Sequence, residues 1–402
     1  MGVLGFTRPD WARRVIAMGD SVAGAEHLVP LDADELIAAA CASTGLDDFG
    51  PDTWEEPFRR LVAALDTEAD LHALGRLTTR LDLLRHLRTR LLVVAAAPSV
   101  VDETVVAPVF VTGPARSGTS ILHELLAEDP NLRAPLAWEL AHPLRPKGAA
   151  AWAECEFDLW ADIQPEFKAI HELSSRLPEE CLWLLAAEFD SGYWATCANV
   201  PSFLAWRAST DPQPAYRFHR TMLQVLQHGQ PQTSWVLKSP AHAGRLATVF
   251  AVYPDARVIF THRDPVRTIP STASAVIAGR WLRSDAIDVP ATAAGLTMGM
   301  RFILNTAAEQ RASLPAGQVA DLHYLDLLRD PVDAIGRAYD TLGLPFGDGL
   351  PGLVTKYLAE RPQDKHGRHH YAAADFGLDP DQLRRDFTPY TEAFGVEPEP
   401  AR

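Results

Sequence analysis

Residues Val106 to Leu126 read VAPVFVTGPARSGTSILHELL, and this stretch decides how the rest of the chain is interpreted. The run is apolar and rich in β-branched residues up to Val111, which predicts a buried strand. A short loop from Gly113 to Gly118 follows, and a helical pattern then continues to Asp129-Pro130. A strand, a glycine-bounded loop and a helix in this order predict an anion site, because loop N–H groups and the positive helix end point to one place.

Polar side chains in the same loop strengthen the prediction of an anion site. Ser117, Thr119 and Ser120 supply hydroxyl groups, and Arg116 supplies a positive charge. The Gly-x4-Gly spacing is that of a nucleoside-triphosphate P-loop, but Thr119 stands where that motif requires lysine. The only cation of the loop is therefore Arg116, two residues before the second glycine. An ordinary turn between a strand and a helix is the structural alternative.

Composition and charge narrow the class of protein. The chain has 402 residues, 47% of them hydrophobic and 22% charged, as in a globular protein with one large core or two smaller ones. A formal net charge of −15 argues against a nucleic-acid partner. Four cysteines without a Cys-x2-Cys pair argue against a metal site or a disulfide framework. We see neither a signal peptide nor a transmembrane segment, and therefore expect a cytoplasmic protein.

The pattern divides the chain into a helical N-terminal segment, residues 1–105, and a core, residues 106–402. The third predicted helix of the segment covers Leu71 to Ala95, and its interleaved arginines predict a solvated face. Residues 145–234 are rich in tryptophan and contain Pro178-Glu179-Glu180. Aromatic residues at helical spacing are usually core. An aromatic-lined helical cap over an acceptor pocket is the other interpretation, so we treat 145–234 as an acceptor-side cap.

Further apolar strands are predicted at residues 235–237, 257–261 and 319–324, and helical patterns alternate with them. This alternation predicts an α/β fold, with a P-loop-type parallel β-sheet flanked by helices. Lys238 and Arg263 follow two of these strands directly. Ligands bind at the carboxyl ends of such strands. We therefore expect Arg116, Lys238 and Arg263 to converge on one site.

With these residues in view, the sequence resembles the bacterial sulfotransferases that use 3′-phosphoadenosine-5′-phosphosulfate (PAPS), related in motif to tyrosylprotein and cytosolic sulfotransferases. Gly113 to Ser120 resembles the 5′-phosphosulfate loop of this family. Arg263 and Ser271, eight positions apart, resemble the pair that holds the 3′-phosphate. Tyr324 before Asp330-Pro331 resembles a tyrosine that contacts the adenine. The cluster containing Lys365 and Arg368 occupies the place of the C-terminal basic loop.

The resemblance leaves two candidates for the general base. Cytosolic members place a histidine two residues after the lysine that corresponds to Lys238, but that position is Pro240, and His242 lies four residues on. Tyrosylprotein sulfotransferases use a glutamate about twenty residues beyond the loop, which Glu139 matches. Because Pro240 displaces the histidine, we expect Glu139 rather than His242 to act as base.

The resemblance implies direct in-line transfer of a sulfuryl group from PAPS to a hydroxyl, less readily an amine, of a small apolar or lipid-like acceptor, without a metal. Arg116 would contact the sulfuryl group, and Lys238 would neutralise the leaving 5′-phosphate. A P-loop kinase-like enzyme with a degenerate loop remains an alternative, and so does a non-catalytic nucleotide sensor. The sequence gives no indication of the oligomeric state.

Overall fold

A parallel sheet forms the centre of the protein. The structure is a computed structural model that describes residues 3–170, 172, 174–361 and 371–399. Within these residues the strands are β1 (Val109–Thr112), β2 (Leu132–Arg133), β3 (Ser234–Lys238), β4 (Arg257–His262) and β5 (Val319–His323). They pair in the order β2-β3-β1-β4-β5, and every pair is parallel. The predicted α/β fold with a parallel sheet is confirmed.

Helices precede the sheet, cover it and fill the long insertion between β2 and β3. The N-terminal helices are α1 (Asp10–Ser21), α2 (Ala25–Leu28), α3 (Ala33–Thr44), α4 (Glu55–Thr67) and α5 (Ala73–Ala96). The phosphate-type loop leads into α6 (Thr119–Leu126). The insertion contains α7 (Ala137–Ala141), α8 (Ala149–Ile163), α9 (Phe167–Ile170), α10 (Leu182–Ala186), α11 (Tyr193–Cys197), α12 (Pro201–Arg207) and α13 (Gln213–Gln227). The later helices are α14 (Leu246–Val252), α15 (Pro265–Trp281), α16 (Val289–Gln310), α17 (Tyr324–Arg329), α18 (Pro331–Leu342), α19 (Leu350–Glu360), α20 (Pro380–Asp386) and α21 (Thr388–Phe394). No helix among the described residues is long and apolar enough to cross a bilayer.

Alternation along β1 divides the core into two layers. Val109 and Val111 pack with α6, α18 and α19, whereas Phe110 packs on the opposite face with α13 and α14. This alternation follows from the two-residue period of a strand. All three side chains have no exposure, and burying each stabilises the fold by about 1.5–3 kcal/mol. Helices on both faces leave only the strand ends open for a ligand.

The N-terminal helices and the insertion share one apolar core. Phe58 of α4 lies 4.7 Å from Phe189, measured between ring centroids, and Trp194 of α11 is fully buried in the same cluster. Trp183 is also buried, in the neighbouring cluster beside the sheet. These aromatic side chains of the insertion are therefore core rather than the lining of an open pocket.

The predicted solvated face of α5 is wrong for three of its arginines. Arg76 and Arg90 are buried, and Arg85 is nearly so. Arg90 forms an ion pair with Glu188 of the insertion. The prediction failed because a helix that is packed on several sides needs charged side chains for the carboxylates buried with it.

Asp82 of α5 is the centre of this buried charge network. Its two carboxylate oxygens accept from Arg85 at 2.6 Å and from Arg283 at 2.5 Å. Burial by itself would raise the pKa of Asp82, but the two guanidinium groups hold it below its ordinary value. Since Arg283 follows α15, the network fastens the N-terminal segment to the core.

Four of the buried histidines in the described part of the chain are His86, His123, His219 and His242. Burial lowers the pKa of His86, His123 and His219 to about 3, and it lowers the pKa of His242 well below the ordinary value. Each is neutral in the folded chain at neutral pH. An unfolded chain binds protons at these side chains below about pH 6.5.

We therefore predict that stability falls as the pH is lowered from about 7.5 to 5.5, by about 1 kcal/mol per buried histidine. The direction follows from the lowered folded pKa, since the unfolded state binds more protons in this window. Urea unfolding at several pH values measures the slope. His219→Gln should reduce it, whereas His27→Gln, at a side chain that is 65% exposed, should not. A free energy of unfolding that is flat across this window would contradict the prediction.

Candidate active site

The loop after β1 is pressed against neighbouring strands and helices at two glycines. Gly113 has φ of +140°, and a Cβ atom there would lie 2.3 Å from the carbonyl oxygen of Thr261 in β4. Gly118 has φ of +87°, and a Cβ atom there would lie 2.7 Å from the ring of Tyr324. Only glycine fits either position without displacement of a neighbour. The backbone of the loop is thereby fixed beside the carboxyl ends of the strands.

Arg116 connects the loop to two distant segments. Its Nε donates to the Ser271 hydroxyl at 3.1 Å, and its Nη1 donates to the Ile170 carbonyl at 3.1 Å. Arg263 in turn donates from Nη1 to the carbonyl oxygen of Arg116 at 3.0 Å. The structure therefore brings Arg116, Arg263 and Ser271 together.

The hydroxyl side chains of Ser117, Thr119 and Ser120 differ in their contacts. Ser117 is fully buried, donates to the Pro114 carbonyl at 2.6 Å and lies 2.5 Å from the Thr261 hydroxyl. The hydroxyl thereby closes the loop internally, and its donation to an anion stays a prediction. Thr119 is also buried, in the first turn of α6. Ser120 accepts from the Lys238 ammonium at 3.2 Å, which joins the first turn of α6 to the end of β3.

Lys238 ends β3, and its carboxylate partner, Glu180, was not predicted from the sequence. Its Nζ lies 2.5 Å from Oε1 of Glu180. The N–H of Cys181 donates to the Lys238 carbonyl at 2.9 Å, which fixes this part of the insertion against the end of β3. The Pro178-Glu179-Glu180 signal was visible in the sequence, but nothing in it shows which glutamate meets the lysine.

Glu139 is occupied by structural contacts. It lies in the first turn of α7, where Oε2 accepts from the N–H of Leu136 at 3.1 Å. Oε1 forms an ion pair with Arg133 at 2.5 Å, and the residue is only 5% exposed. These contacts are those of a helix cap, and the role of Glu139 as general base stays a prediction.

The structure places His242, the other candidate base, among buried side chains. Its side chain has no exposure, and Nδ1 lies 2.7 Å from the Tyr216 hydroxyl. The ring packs edge-on against Phe110 at 5.0 Å, in the apolar layer beneath the sheet. The short helical turn after Pro240 directs this side chain into the core.

Arg263 lies at the carboxyl end of β4, in contact with both the loop and the C-terminal segment. Its guanidinium is 3.8 Å from the ring centre of Tyr324. Nε and Nη2 donate to the two carboxylate oxygens of Glu399 at 2.9 and 3.1 Å. Lys365 and Arg368 lie outside the described residues. The described cations of the site are therefore arranged around one strand-end edge.

A phosphate-type loop at the carboxyl edge of a parallel sheet, with Arg116, Lys238 and Arg263 around it, defines a P-loop-type protein built to bind an anionic ligand. Residues 108–348 match the sequence model of the Sulfotransferase family, and the chain belongs to that family. It is an enzyme that transfers a sulfuryl group. The kinase-like and non-catalytic alternatives are thereby set aside.

Several relatives share this architecture. The chain is 26% identical to the ω-hydroxy-β-dihydromenaquinone-9 sulfotransferase Stf3 of Mycobacterium bovis, over 66% of this chain and 70% of the relative. The solved sulfotransferase STF9 of Mycobacterium avium superposes with a TM-score of 0.83 at 26% identity, over 92% of this chain and 98% of that one. STF1 of Mycobacterium tuberculosis H37Rv superposes with a TM-score of 0.78 at 29% identity, over 88% and 97%.

The close contact at Gly118 generates a prediction about stability. Gly118→Ala should destabilise the protein by about 1–3 kcal/mol, because it strains a left-handed backbone position and displaces the ring of Tyr324. Gly299→Ala is the matched control, since Gly299 lies within α16 with nothing within 4 Å of the added atom. That variant should stabilise by about 0.5–1 kcal/mol. Urea unfolding of both variants measures the difference, and equal effects of the two would contradict the assignment.

Proposed function

We propose that this enzyme transfers the sulfuryl group of PAPS to a hydroxyl of a lipid-like acceptor by direct in-line displacement. The observation that carries the proposal is the contact chain from Ser120 through Lys238 to Glu180. One ammonium group there joins the N-terminal turn of the loop helix to a carboxylate. The carboxylate of Glu180, which can take up a proton, is therefore separated only by the Lys238 side chain from the loop that would hold the transferred sulfuryl group.

The proposed donor site uses the cluster on the loop side. Loop N–H groups and Arg116 would hold the 5′-phosphosulfate, as expected at a helix N-terminus. Arg263 and Ser271 would hold the 3′-phosphate, and Tyr324 would lie beside the adenine. The hydrogen bonds that already join Arg116 to Ser271 and Arg263 support one continuous site for a ligand with two anionic ends.

In the proposed reaction a bond forms between the acceptor oxygen and sulfur while the bond from sulfur to the 5′-phosphate oxygen breaks. The acceptor proton passes to the carboxylate of Glu180, which replaces Glu139 and His242 as the proposed base. Lys238 stabilises the charge that develops on the leaving phosphate. A positioned base contributes about 10²–10⁴-fold to such a step. Positioning of the reactants and stabilisation of charge supply the rest of the rate acceleration. The cationic side chains stabilise this charge, as metal ions do in kinases.

The acceptor class rests on a relative rather than on the aromatic residues of the insertion. Those residues are largely packed as core, whereas the M. bovis relative is a sulfotransferase of an ω-hydroxylated dihydromenaquinone. A primary hydroxyl at the end of an isoprenoid chain is therefore the proposed acceptor group.

Incubating the enzyme with PAPS and an ω-hydroxylated isoprenoid quinone should give a product heavier by one sulfuryl group. Mass spectrometry detects it, and the same quinone without the ω-hydroxyl is the control. A product from the control, or sulfation of amines alone, would contradict the proposed acceptor. A screen of polar alcohols then locates the acceptor class.

Glu180→Gln should lower turnover by about 10²-fold or more, because the amide keeps the shape but cannot take a proton. Glu139→Gln is the matched control, since it makes the same change in a structural carboxylate. It should lower stability and leave turnover within a few fold. Steady-state kinetics and donor-binding calorimetry distinguish the roles. If Glu180→Gln alters only donor affinity, this carboxylate merely neutralises Lys238.

A further inference from the structure

Glu399, in the segment after α21, contacts Arg263, the arginine that we propose for the 3′-phosphate. Glu399 accepts from two nitrogens of Arg263 at 2.9 and 3.1 Å. This is the same two-point geometry that a guanidinium offers to two oxygens of a phosphate. The side chains of Arg263 and Glu399 are only 16% and 12% exposed. Where the 3′-phosphate is proposed to bind, a carboxylate is already bound.

Contacts beyond this ion pair hold the segment in place. The N–H of Glu399 donates to the Asp264 carboxylate at 2.7 Å, and Nε of Arg267 lies 3.9 Å from Glu399 Oε2. Upstream, Phe394 stacks on His262 with ring centroids 4.3 Å apart. A cavity of about 190 Å³ opens beside the segment, and Arg263 and Glu399 are among its lining residues. The carboxylate is therefore part of the wall of a pocket.

We propose that Glu399 is an internal competitor for the 3′-phosphate of the donor and of the bisphosphate product. The inference rests on the proposed donor site. One guanidinium cannot present the same two N–H groups to a carboxylate and to a phosphate at once. A phosphate that entered beside the bound carboxylate would also meet a like charge at close range. Binding of the donor therefore displaces Glu399, and loss of the product allows it to return.

The competition has a defined signature. The apparent affinity for any ligand with a 3′-phosphate is reduced by the fraction of enzyme in which Arg263 is free. A nucleotide without that phosphate leaves the ion pair intact and is not affected. Because donor and product share the group, the carboxylate weakens donor binding and product inhibition together.

Calorimetry with adenosine 3′,5′-bisphosphate and with adenosine 5′-phosphate tests the proposal. Glu399→Gln should bind the bisphosphate about tenfold more tightly than the wild-type chain, and the monophosphate equally well. Glu392→Gln is the matched control, because Glu392 is an exposed glutamate of α21 that is not among the lining residues of this cavity. It should bind both nucleotides as the wild type does. Inhibition of turnover by the bisphosphate should strengthen in Glu399→Gln alone.

The Arg263→Ala variant distinguishes competition between Glu399 and the 3′-phosphate from an effect of Glu399 on another part of the protein. In Arg263→Ala the bisphosphate should bind about tenfold or more weakly, and adding Glu399→Gln should then give no gain. Unchanged or weaker bisphosphate binding in Glu399→Gln would overturn the competition while leaving the donor assignment intact. If neither the wild type nor Glu399→Gln prefers the bisphosphate over the monophosphate, the donor site itself is wrongly assigned.

Discussion

The buried ammonium group of Lys238 requires a negatively charged partner, and this requirement joins the insertion to the sheet. Lys238 is 2% exposed at the end of β3, and Glu180 lies 2.5 Å from it. Removal of one partner of a buried pair typically costs about 3–5 kcal/mol, because the other charge is left uncompensated. The pair therefore fixes the insertion to the sheet at the position where the chemistry is proposed. A backbone bond from Cys181 to Lys238 holds the same junction.

The same principle operates on a larger scale in the N-terminal segment. Asp82 accepts from two buried guanidinium groups, one on its own helix and one beyond α15, and Arg90 pairs with Glu188. These pairs lie beside an apolar cluster that joins α3, α4 and α5 to the insertion. The N-terminal helices are thus packed against the insertion, although they carry no proposed catalytic group.

At the edge of the sheet where we propose that the donor binds, the cationic side chains have partners within the protein. Arg263 faces a carboxylate, and Arg116 donates to a serine and to a carbonyl group. A cluster of cations without such partners would repel itself and weaken the folded state. These partners therefore balance the positive charge of the proposed nucleotide site within the folded chain.

The sequence by itself determined the sheet and the phosphate-type loop, and it placed Lys238 and Arg263 at the ends of two strands. These features follow from local patterns: apolar runs predict strands, glycine spacing predicts the loop, and parallel strands place their carboxyl ends together. Only the tertiary structure decided which carboxylate pairs with Lys238, because the sequence alone does not distinguish Glu139, Glu179 and Glu180 as its partner. It also placed Ser117 and His242 inside the core and three arginines of α5 within buried pairs. Those outcomes depend on which distant surfaces pack together, and burial, unlike local periodicity, is a property of the whole fold.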